Sequence, residues 1–215
     1  MLARLSAGCP DFEYTAGLAA RMGHDVLVRI ADHSTATWLQ GYRSWMFLIR
    51  HALPGDAAAL SQLAERTFRD AFTAQNRQSD IDTHCARAFA PEIQARELAT
   101  PTTATLVIEQ EGRLVAYAQI QYGPQEGAKG EAEIRRFYVA RPFQGTGLAQ
   151  QLMQRVVDDV VSREAKTIWL GVWDENPRAI RFYGKCGFEE TGEREFLLGA
   201  SQQRDLVMSR PTRPD

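Results

Sequence analysis

A short loop with two glycines carries the residues best suited to chemistry in this sequence. Glycine has no Cβ, so a ligand can approach the backbone N–H groups of Gly145 and Gly147 closely. The loop follows an apolar segment and precedes an amphipathic helix, whose N-terminus favours negative charge. The pattern predicts a phosphate or diphosphate site made of six residues: Gln144, Gly145, Thr146, Gly147, Leu148 and Ala149.

Two common phosphate-binding patterns are absent from this loop, which limits the classes of anionic ligand that it could bind. The third glycine of the dinucleotide-binding fingerprint is absent, and so is the Gly-Lys-Ser/Thr of a P-loop. The pattern therefore favours some other carrier of a diphosphate, with a plain glycine turn as the alternative. The helix behind the loop is well marked, because an apolar residue recurs every four positions at Leu148, Leu152, Val156 and Val160.

A second set of polar residues lies on a short helix further along the chain. Asn176 before Pro177 predicts the start of that helix, and Gly187 predicts its end. Asn176 and Tyr183 fall on one face, about 10 Å apart at about 1.5 Å per residue. One helix could therefore hold an amide and a phenol against two parts of a long ligand. A simple cap and a packed aromatic ring remain the alternatives.

These two segments resemble the signatures of the GNAT superfamily of N-acetyltransferases. The loop Q-G-T-G-L-A matches the acetyl-CoA signature Q/R-x-x-G-x-G/A, and residues 176–188 resemble the second signature N-x-x-A-x-x-F-Y-x-x-x-G-F. Residues 67–72, 168–173 and 199–206 are similar to the bacterial and archaeal spermidine/spermine-type acetyltransferases. The resemblance covers about residues 47–210.

The resemblance implies a fold and an activity. The fold would be α/β (α+β), with a mixed, mostly antiparallel central sheet of about six to seven strands flanked by helices. Acetyl-CoA would bind at a splayed pair of strands as cosubstrate, and an acetyl group would pass to a primary amine of a small molecule, with a polyamine as one candidate. A CoA-binding regulatory module without turnover and a protein N-terminal acetyltransferase are the alternatives.

The resemblance also implies roles for individual residues. Backbone N–H groups near Phe137 and Val139 would pair with the pantetheine arm and polarise the thioester carbonyl. Asn176 would also lie on the coenzyme, and Lys185 would assist with phosphate or thiolate charge. Tyr183 would be the general acid that protonates the departing thiolate.

A base is needed as well, because a primary amine with a pKa of about 10.4 is almost fully protonated at neutral pH. Glu133 is the candidate if its side chain faces the acceptor pocket, and Glu131 would point the same way. A solvated strand residue is the alternative for Glu133. The helices after the first strand commonly wall this pocket in such folds, so Phe68, Phe72, Asp80 and Asp82 become candidate substrate contacts; surface caps and core aromatics are the alternative.

Composition excludes several other classes of function. The 215 residues carry a formal net charge of -2, so nucleic acid is not expected as a main partner. Three cysteines and four histidines without ligand spacing predict neither a disulfide framework nor a metal site. No apolar run is long enough to span a membrane, and a cytoplasmic location is the default. A homodimer is left open.

The order of elements along the chain predicts three parts. Residues 1–45 are an N-terminal extension of uncertain order. It is interpreted by preference as sequence upstream of a start at Met46, with an added packing segment and a flexible arm as the alternatives. Residues 46–210 form the acetyltransferase domain, and residues 211–215 are a tail. Within the domain we predict a strand at 47–51, a helix capped by Asp56, a capping box of Ser79 and Asp82 opening a helix to Phe89, a helix from Pro91, a hairpin turning at 111–112, strands at 131–139 and 168–173, and a closing hairpin of 189–198 with 205–210.

Overall fold

The described strands of this protein form one sheet, and the described helices pack against it. The computed structural model describes residues 26–29, 46–123 and 130–212. Within those ranges the strands are β1 (Val26–Arg29), β2 (Met46–His51), β3 (Thr103–Gln110), β4 (Arg113–Tyr122), β5 (Glu131–Val139), β6 (Thr167–Trp173), β7 (Glu189–Leu198) and β8 (Ser201–Pro211). The helices are α1 (Ala57–Phe72), α2 (Gln78–Ala88), α3 (Pro91–Leu98), α4 (Leu148–Ser162) and α5 (Pro177–Lys185).

The order of strands across the sheet is β1-β2-β3-β4-β5-β6-β8-β7. Neighbouring strands are antiparallel except for β5 and β6, which run parallel. Seven of the described strands begin at or after Met46, which confirms the mixed, mostly antiparallel sheet expected from the sequence. β1 comes from the predicted extension and adds an eighth strand beside β2.

Side chains alternate between the two faces of the sheet, and each face is covered by its own helices. On β3, Leu106 and Ile108 pack with the apolar stripe of α4, whereas Val107 packs with the residues of α1 and α2. The four residues predicted to anchor α4 are fully buried: Leu148, Leu152, Val156 and Val160. The first-turn end of α4 is therefore fixed against the sheet.

Two predicted helix starts are wrong in detail. Ser79 and Asp82 do not form a capping box, because α2 begins at Gln78 and its N-cap position, Arg77, makes no side-chain cap. Asp82 instead accepts hydrogen bonds from Arg69 and Gln78. Asp56 does stand before α1, but its carboxylate accepts from the Leu53 N–H and from Arg50, so it holds the preceding 3-10 turn and not the helix N–H groups.

The other predicted elements hold within a few residues. The turn between β3 and β4 is Glu111-Gly112, with φ values of 50° and 77°. β8 begins at Ser201, four residues earlier than predicted, and runs into Pro211, the first residue of the predicted tail. The predicted glycine-rich loop lies mostly outside the described residues, as do most of 1–45 and residues 213–215.

Candidate active site

The sheet opens between its two parallel strands. β5 and β6 pair only from Glu131 and Thr167 to Ile134 and Leu170. Beyond this point β5 carries an extra residue, Arg135, in a bulge opposite β4. The remainder of both strands diverges, so backbone groups on their facing edges are left without a partner strand. A splayed strand pair of this kind leaves room for an extended ligand to lie between the strands.

The glycine loop lies directly beyond the carboxyl end of β5. Gly145 and Gly147 have φ values of 85° and 88°, which favour glycine, and a Cβ at either position would meet nothing within 4 Å. Thr146 donates its hydroxyl hydrogen to the Phe143 carbonyl at 2.7 Å, which fixes the turn. The loop therefore presents its backbone to open space in front of α4, as a cradle for a diphosphate requires.

Gln144 connects this loop to the rest of the site. Its side-chain amide donates to the Val139 carbonyl at 2.9 Å, and its oxygen accepts from Arg178 at 2.6 Å. Gln144 thus ties the loop to β5 and to the first turn of α5. The side chain that the signature specifies is therefore engaged with protein on both of its polar atoms.

A groove of about 620 Å³ runs along the opening and the loop. Phe137, Val139 and Asn176 line it, with four residues of the predicted loop: Gln144, Gly145, Gly147 and Ala149. Arg141 and Arg178 also line it and place two cations beside the cradle. The groove thus combines bare amides with positive charge, which suits a ligand with phosphate groups.

Helix α5 is held at both ends by the caps that the sequence predicts. The Asn176 side chain accepts from the Ala179 N–H at 3.1 Å. At the other end Gly187 has a φ of 83°, and the N–H of Phe188 reaches the Tyr183 carbonyl at 3.1 Å, which is a Schellman ending. Tyr183 is therefore positioned by a helix that is fixed at its start and at its end.

Tyr183 lines the groove from within an aromatic cluster. Its ring meets the rings of Phe137, Phe182 and Phe188 edge-on, with centroids 5.4 to 6.2 Å apart. Burial raises the pKa of the Tyr183 phenol well above its usual value. The phenol therefore stays protonated across the physiological range, as a proton donor must.

A second cavity, of about 460 Å³, lies on the far side of the same opening. Residues that line both spaces include Phe72, Arg135, Tyr138, Gly171 and Trp173. The two spaces therefore meet where β5 and β6 diverge. We call the second space the acceptor cavity.

The acceptor cavity contains two buried carboxylates that share one guanidinium. Glu133 and Asp205 are 8% and 7% exposed. Arg194 lies 3.1 Å from Glu133 Oε1 and 3.4 Å from Asp205 Oδ2. Burial raises the pKa of the Asp205 carboxyl, while Arg194 opposes that shift. Two candidate proton acceptors therefore stand in the cavity; the sequence analysis named only Glu133.

Of the four residues predicted to contact the acceptor substrate, two line the acceptor cavity and two do not. Phe68 and Phe72 line the acceptor cavity. Asp80 lines neither space and instead accepts hydrogen bonds from the Ala200 N–H and the Ser201 hydroxyl in the turn between β7 and β8. Asp82 pairs with Arg69 on the surface. The geometry thus gives both aspartates partners within the protein and no contact with either space.

Three predicted coenzyme contacts also lie outside the lining of the groove. Leu148 is fully buried in the core beneath α4, and Thr146 holds the turn as described. Lys185 lies exposed in the last turn of α5, away from the end that faces the loop. The geometry assigns the first two to support of the loop, and it gives Arg141 and Arg178 the position expected for Lys185.

Sequence reasoning missed several residues of the site, and only some carried a signal. Asp205 begins an otherwise apolar strand segment, D-L-V-M, so its buried charge could have been noticed. Arg194 and His84 gave no such sign, because each lies on an element that is distant in sequence from Glu133. Arg178 stands at a position of the second signature where any residue is allowed, so the signature gave it no role. It comes next to the loop only when the helix is folded.

A membrane-spanning helix and a metal-binding cluster are both absent from the part of the chain that the structure describes. No helix in these ranges is long and apolar enough to cross a membrane. No cluster of three or more His, Cys, Asp or Glu side chains within the same ranges is placed to hold a metal ion.

Comparison with known proteins identifies the class to which this fold and site belong. The family described as "Acetyltransferase (GNAT) family" matches residues 59–188. An uncharacterized N-acetyltransferase of Mycobacterium tuberculosis is 35% identical over 159 residues, which cover 72% of this chain and 97% of that protein. The spermine/spermidine N(1)-acetyltransferase of Bacillus subtilis is 29% identical over 90 residues, covering 40% of this chain and 59% of that protein.

A solved structure agrees in fold. The PaiA N-acetyltransferase of Thermoplasma acidophilum, solved in complex with coenzyme A, superposes with a TM-score of 0.65 at 15% identity and covers 77% of this chain and 98% of that one. The two proteins thus share this fold. This chain is a member of the GNAT acetyltransferase family.

Proposed function

We propose that this acetyltransferase uses acetyl-CoA and acetylates the primary amine of a small molecule. One observation carries the proposal: the groove with the amide cradle and the cavity with the buried carboxylates meet where β5 and β6 diverge. A donor and an acceptor can therefore be bound on opposite sides of one opening.

The residues of the groove fit coenzyme A. The open positions at Gly145 and Gly147 leave room for a diphosphate against the loop amides, and Arg141 and Arg178 supply positive charge beside it. Free backbone groups of β5 near Phe137 and Val139 would bind the pantetheine arm and orient the carbonyl. When bound, acetyl-CoA supplies a thioester whose acetyl group is transferred.

Two side chains would handle the protons. Glu133 faces the acceptor cavity and would take the proton of the ammonium, directly or through water. The Tyr183 phenol faces the groove and would give a proton to the departing sulfur. Both lie within the walls of the opening, on elements fixed by the core, so neither requires a large movement to act.

A polyamine is the acceptor suggested by the similarity to the Bacillus subtilis enzyme. The direct test is the release of free thiol from acetyl-CoA with a panel of polyamines, aminoglycosides, amino acids and peptides. We expect one small amine class to give turnover. Coenzyme binding without thiol release from any amine would favour a regulatory module, and release with peptides alone would favour protein N-terminal acetylation.

We also propose that residues 46–210 constitute the catalytic domain. Every residue assigned above to the groove and the acceptor cavity lies between Phe68 and Asp205. A chain beginning at Met46 is expected to bind coenzyme A with the same affinity as the full chain. Loss of folding or of binding would show that residues before Met46 belong to the enzyme.

A further inference from the structure

The acceptor cavity has a wall of aromatic rings that proton transfer does not require. Trp173 and Phe72 lie 5.7 Å apart between ring centroids, and Phe72 and Phe68 lie 4.6 Å apart. The His84 ring stacks on Phe68 at 4.4 Å and meets Phe196 at 5.8 Å. Because Trp173 and Phe72 also line the groove, the rings lead from the opening to the back of the cavity.

These rings present an uncharged surface. Burial lowers the pKa of His84, as does the nearby charge of Arg136, so its imidazole is neutral at physiological pH. Arg136 itself is engaged by Glu97 at 2.5 Å and lies 5.1 Å above the Phe89 ring. A flat apolar group would be stabilised along this wall by burial and by ring stacking.

The charged groups that line the cavity are equal in number, but Arg136 is paired with Glu97 outside the lining. Among the described residues they are three carboxylates and three guanidiniums: Glu133, Glu195 and Asp205 with Arg135, Arg136 and Arg194. Arg194 contacts both of the buried carboxylates. One guanidinium thus stands against two carboxylates, and a second ammonium on a ligand would have to compete with Arg194 for their oxygens.

The side chain of Arg194, on β7, is held in position by contacts with neighbouring strands. Its guanidinium lies 5.6 Å from the centroid of the Trp169 ring. It also occupies the space above Gly171, where an added Cβ would come closer to its atoms than any contact allows. The missing side chain at Gly171 is what allows Arg194 to reach Glu133 and Asp205 across β6.

We propose, resting on the acetyl-transfer function above, that the acceptor is a primary amine carried on an aromatic body without a second positive charge. Arg194 determines this specificity, because the distal ammonium of a polyamine would have to displace it from Asp205, while Glu133 serves the reacting amine. The aromatic wall holds the body of the acceptor, and its amine points toward the opening.

The test compares 2-phenylethylamine and tryptamine with spermidine and cadaverine. For the natural protein we expect kcat/KM for the aromatic amines to exceed that for spermidine by about tenfold or more. Arg194→Gln should reduce this preference by about tenfold, since it frees Asp205 for a second ammonium. Comparing acceptors within each variant cancels any effect of the substitution on the chemical step itself.

Two further variants keep the test specific. Arg204 is the matched control, because it also pairs with two carboxylates, Asp174 and Glu193, but lines neither space. Arg204→Gln should leave the preference unchanged. Gly171→Ala should displace the flexible end of Arg194 and shift the preference in the same direction as Arg194→Gln, even if that variant folds poorly.

A binding measurement adds a readout that does not depend on turnover. Calorimetry in the presence of free CoA, which cannot transfer an acetyl group, should show tighter binding of 2-phenylethylamine than of spermidine. A natural protein that prefers spermidine, or an Arg194→Gln variant that is folded with an unchanged preference, would overturn the proposal while leaving acetyl transfer intact. Absence of thiol release with every amine would instead overturn the proposed function, and this inference with it.

Discussion

The groove and the acceptor cavity lie on two sides of the same strand opening but are built in different ways. The groove is made largely of backbone, with a cradle at two glycines and unpaired strand edges on β5 and β6. The acceptor cavity is made of side chains from α1, α2, β5, β6, β7 and β8. A backbone site suits one invariant ligand, whereas a side-chain site can be altered for each acceptor without disturbing the fold.

The largest effect should come from blocking the groove. In Gly147→Glu a long anionic side chain enters the cradle at a position with a φ of 88°, so we expect coenzyme A affinity to fall by about 100-fold or more. Calorimetry measures this directly. Gly112→Glu is the control, since Gly112 has a φ of 77° and open space but lies in the turn between β3 and β4. Equal affinity in the Gly147 variant and the natural protein would remove the cradle from the site.

Removal of the phenol should separate chemistry from binding. We expect Tyr183→Phe to lower kcat by about 100-fold while coenzyme affinity stays nearly constant, because the ring remains in its aromatic cluster. Tyr122→Phe is the control, since that phenol donates to Asp159 at 2.7 Å on another part of the sheet. The raised pKa of Tyr183 also predicts that kcat shows no loss of this acid below about pH 10. An unchanged kcat would exclude Tyr183 as the acid.

A smaller difference should distinguish the two buried carboxylates of the acceptor cavity. Glu133→Gln is expected to lower kcat by about tenfold more than Asp205→Asn if Glu133 is the base. Each substitution leaves Arg194 with one remaining carboxylate, so the pair is matched. Steady-state kinetics at saturating acceptor gives the comparison, and a larger loss in Asp205→Asn would assign the base to Asp205.

The smallest effect on activity should come from Asp80, which touches neither space. Asp80→Ala removes the hydrogen bonds to Ala200 and Ser201, so the Tm should fall while KM and kcat of the folded protein stay the same. Those hydrogen bonds lower the pKa of Asp80 below 3.8 in the folded state. The stabilisation is therefore complete above pH 3.8 and is lost as the pH falls through the lowered pKa.

The control for this change is Asp82→Ala, which removes an exposed pair with Arg69 and should lower the Tm less. Thermal unfolding followed at neutral and acid pH gives the comparison. A raised KM for the acceptor in Asp80→Ala would return Asp80 to the list of substrate contacts.

The same contrast between backbone and side chains explains what the sequence could predict. The loop at 144–149, the capped helix from Asn176 and the apolar stripe of α4 are local patterns, so their place in the fold followed from spacing and from the family resemblance. Arg194 and Asp205 face each other across the β7–β8 hairpin, whereas Glu133 on β5 is distant in sequence, and only the folded sheet brings it to this pair.

The predictions of the helix caps at Asp56 and at Ser79 with Asp82 were wrong for a similar reason. Asp56 has the residue type and position of a helix cap, yet Arg50 on β2 and the Leu53 N–H compete for its carboxylate. Asp80 and Asp82 lie in the same helix turn. Asp80 accepts a hydrogen bond from the Ala200 N–H between β7 and β8, whereas Asp82 accepts one from Arg69 on α1. Partners that are distant in sequence determine the role of each carboxylate, and the local sequence does not show which residues these partners are.

The most direct test is a crystal structure of the protein with coenzyme A. The diphosphate should lie within about 3 Å of the amides of residues 145–147, and the sulfur should lie between β5 and β6, near Tyr183 and next to the acceptor cavity. A coenzyme bound elsewhere, or a diphosphate that makes no contact with these amides, would contradict the account.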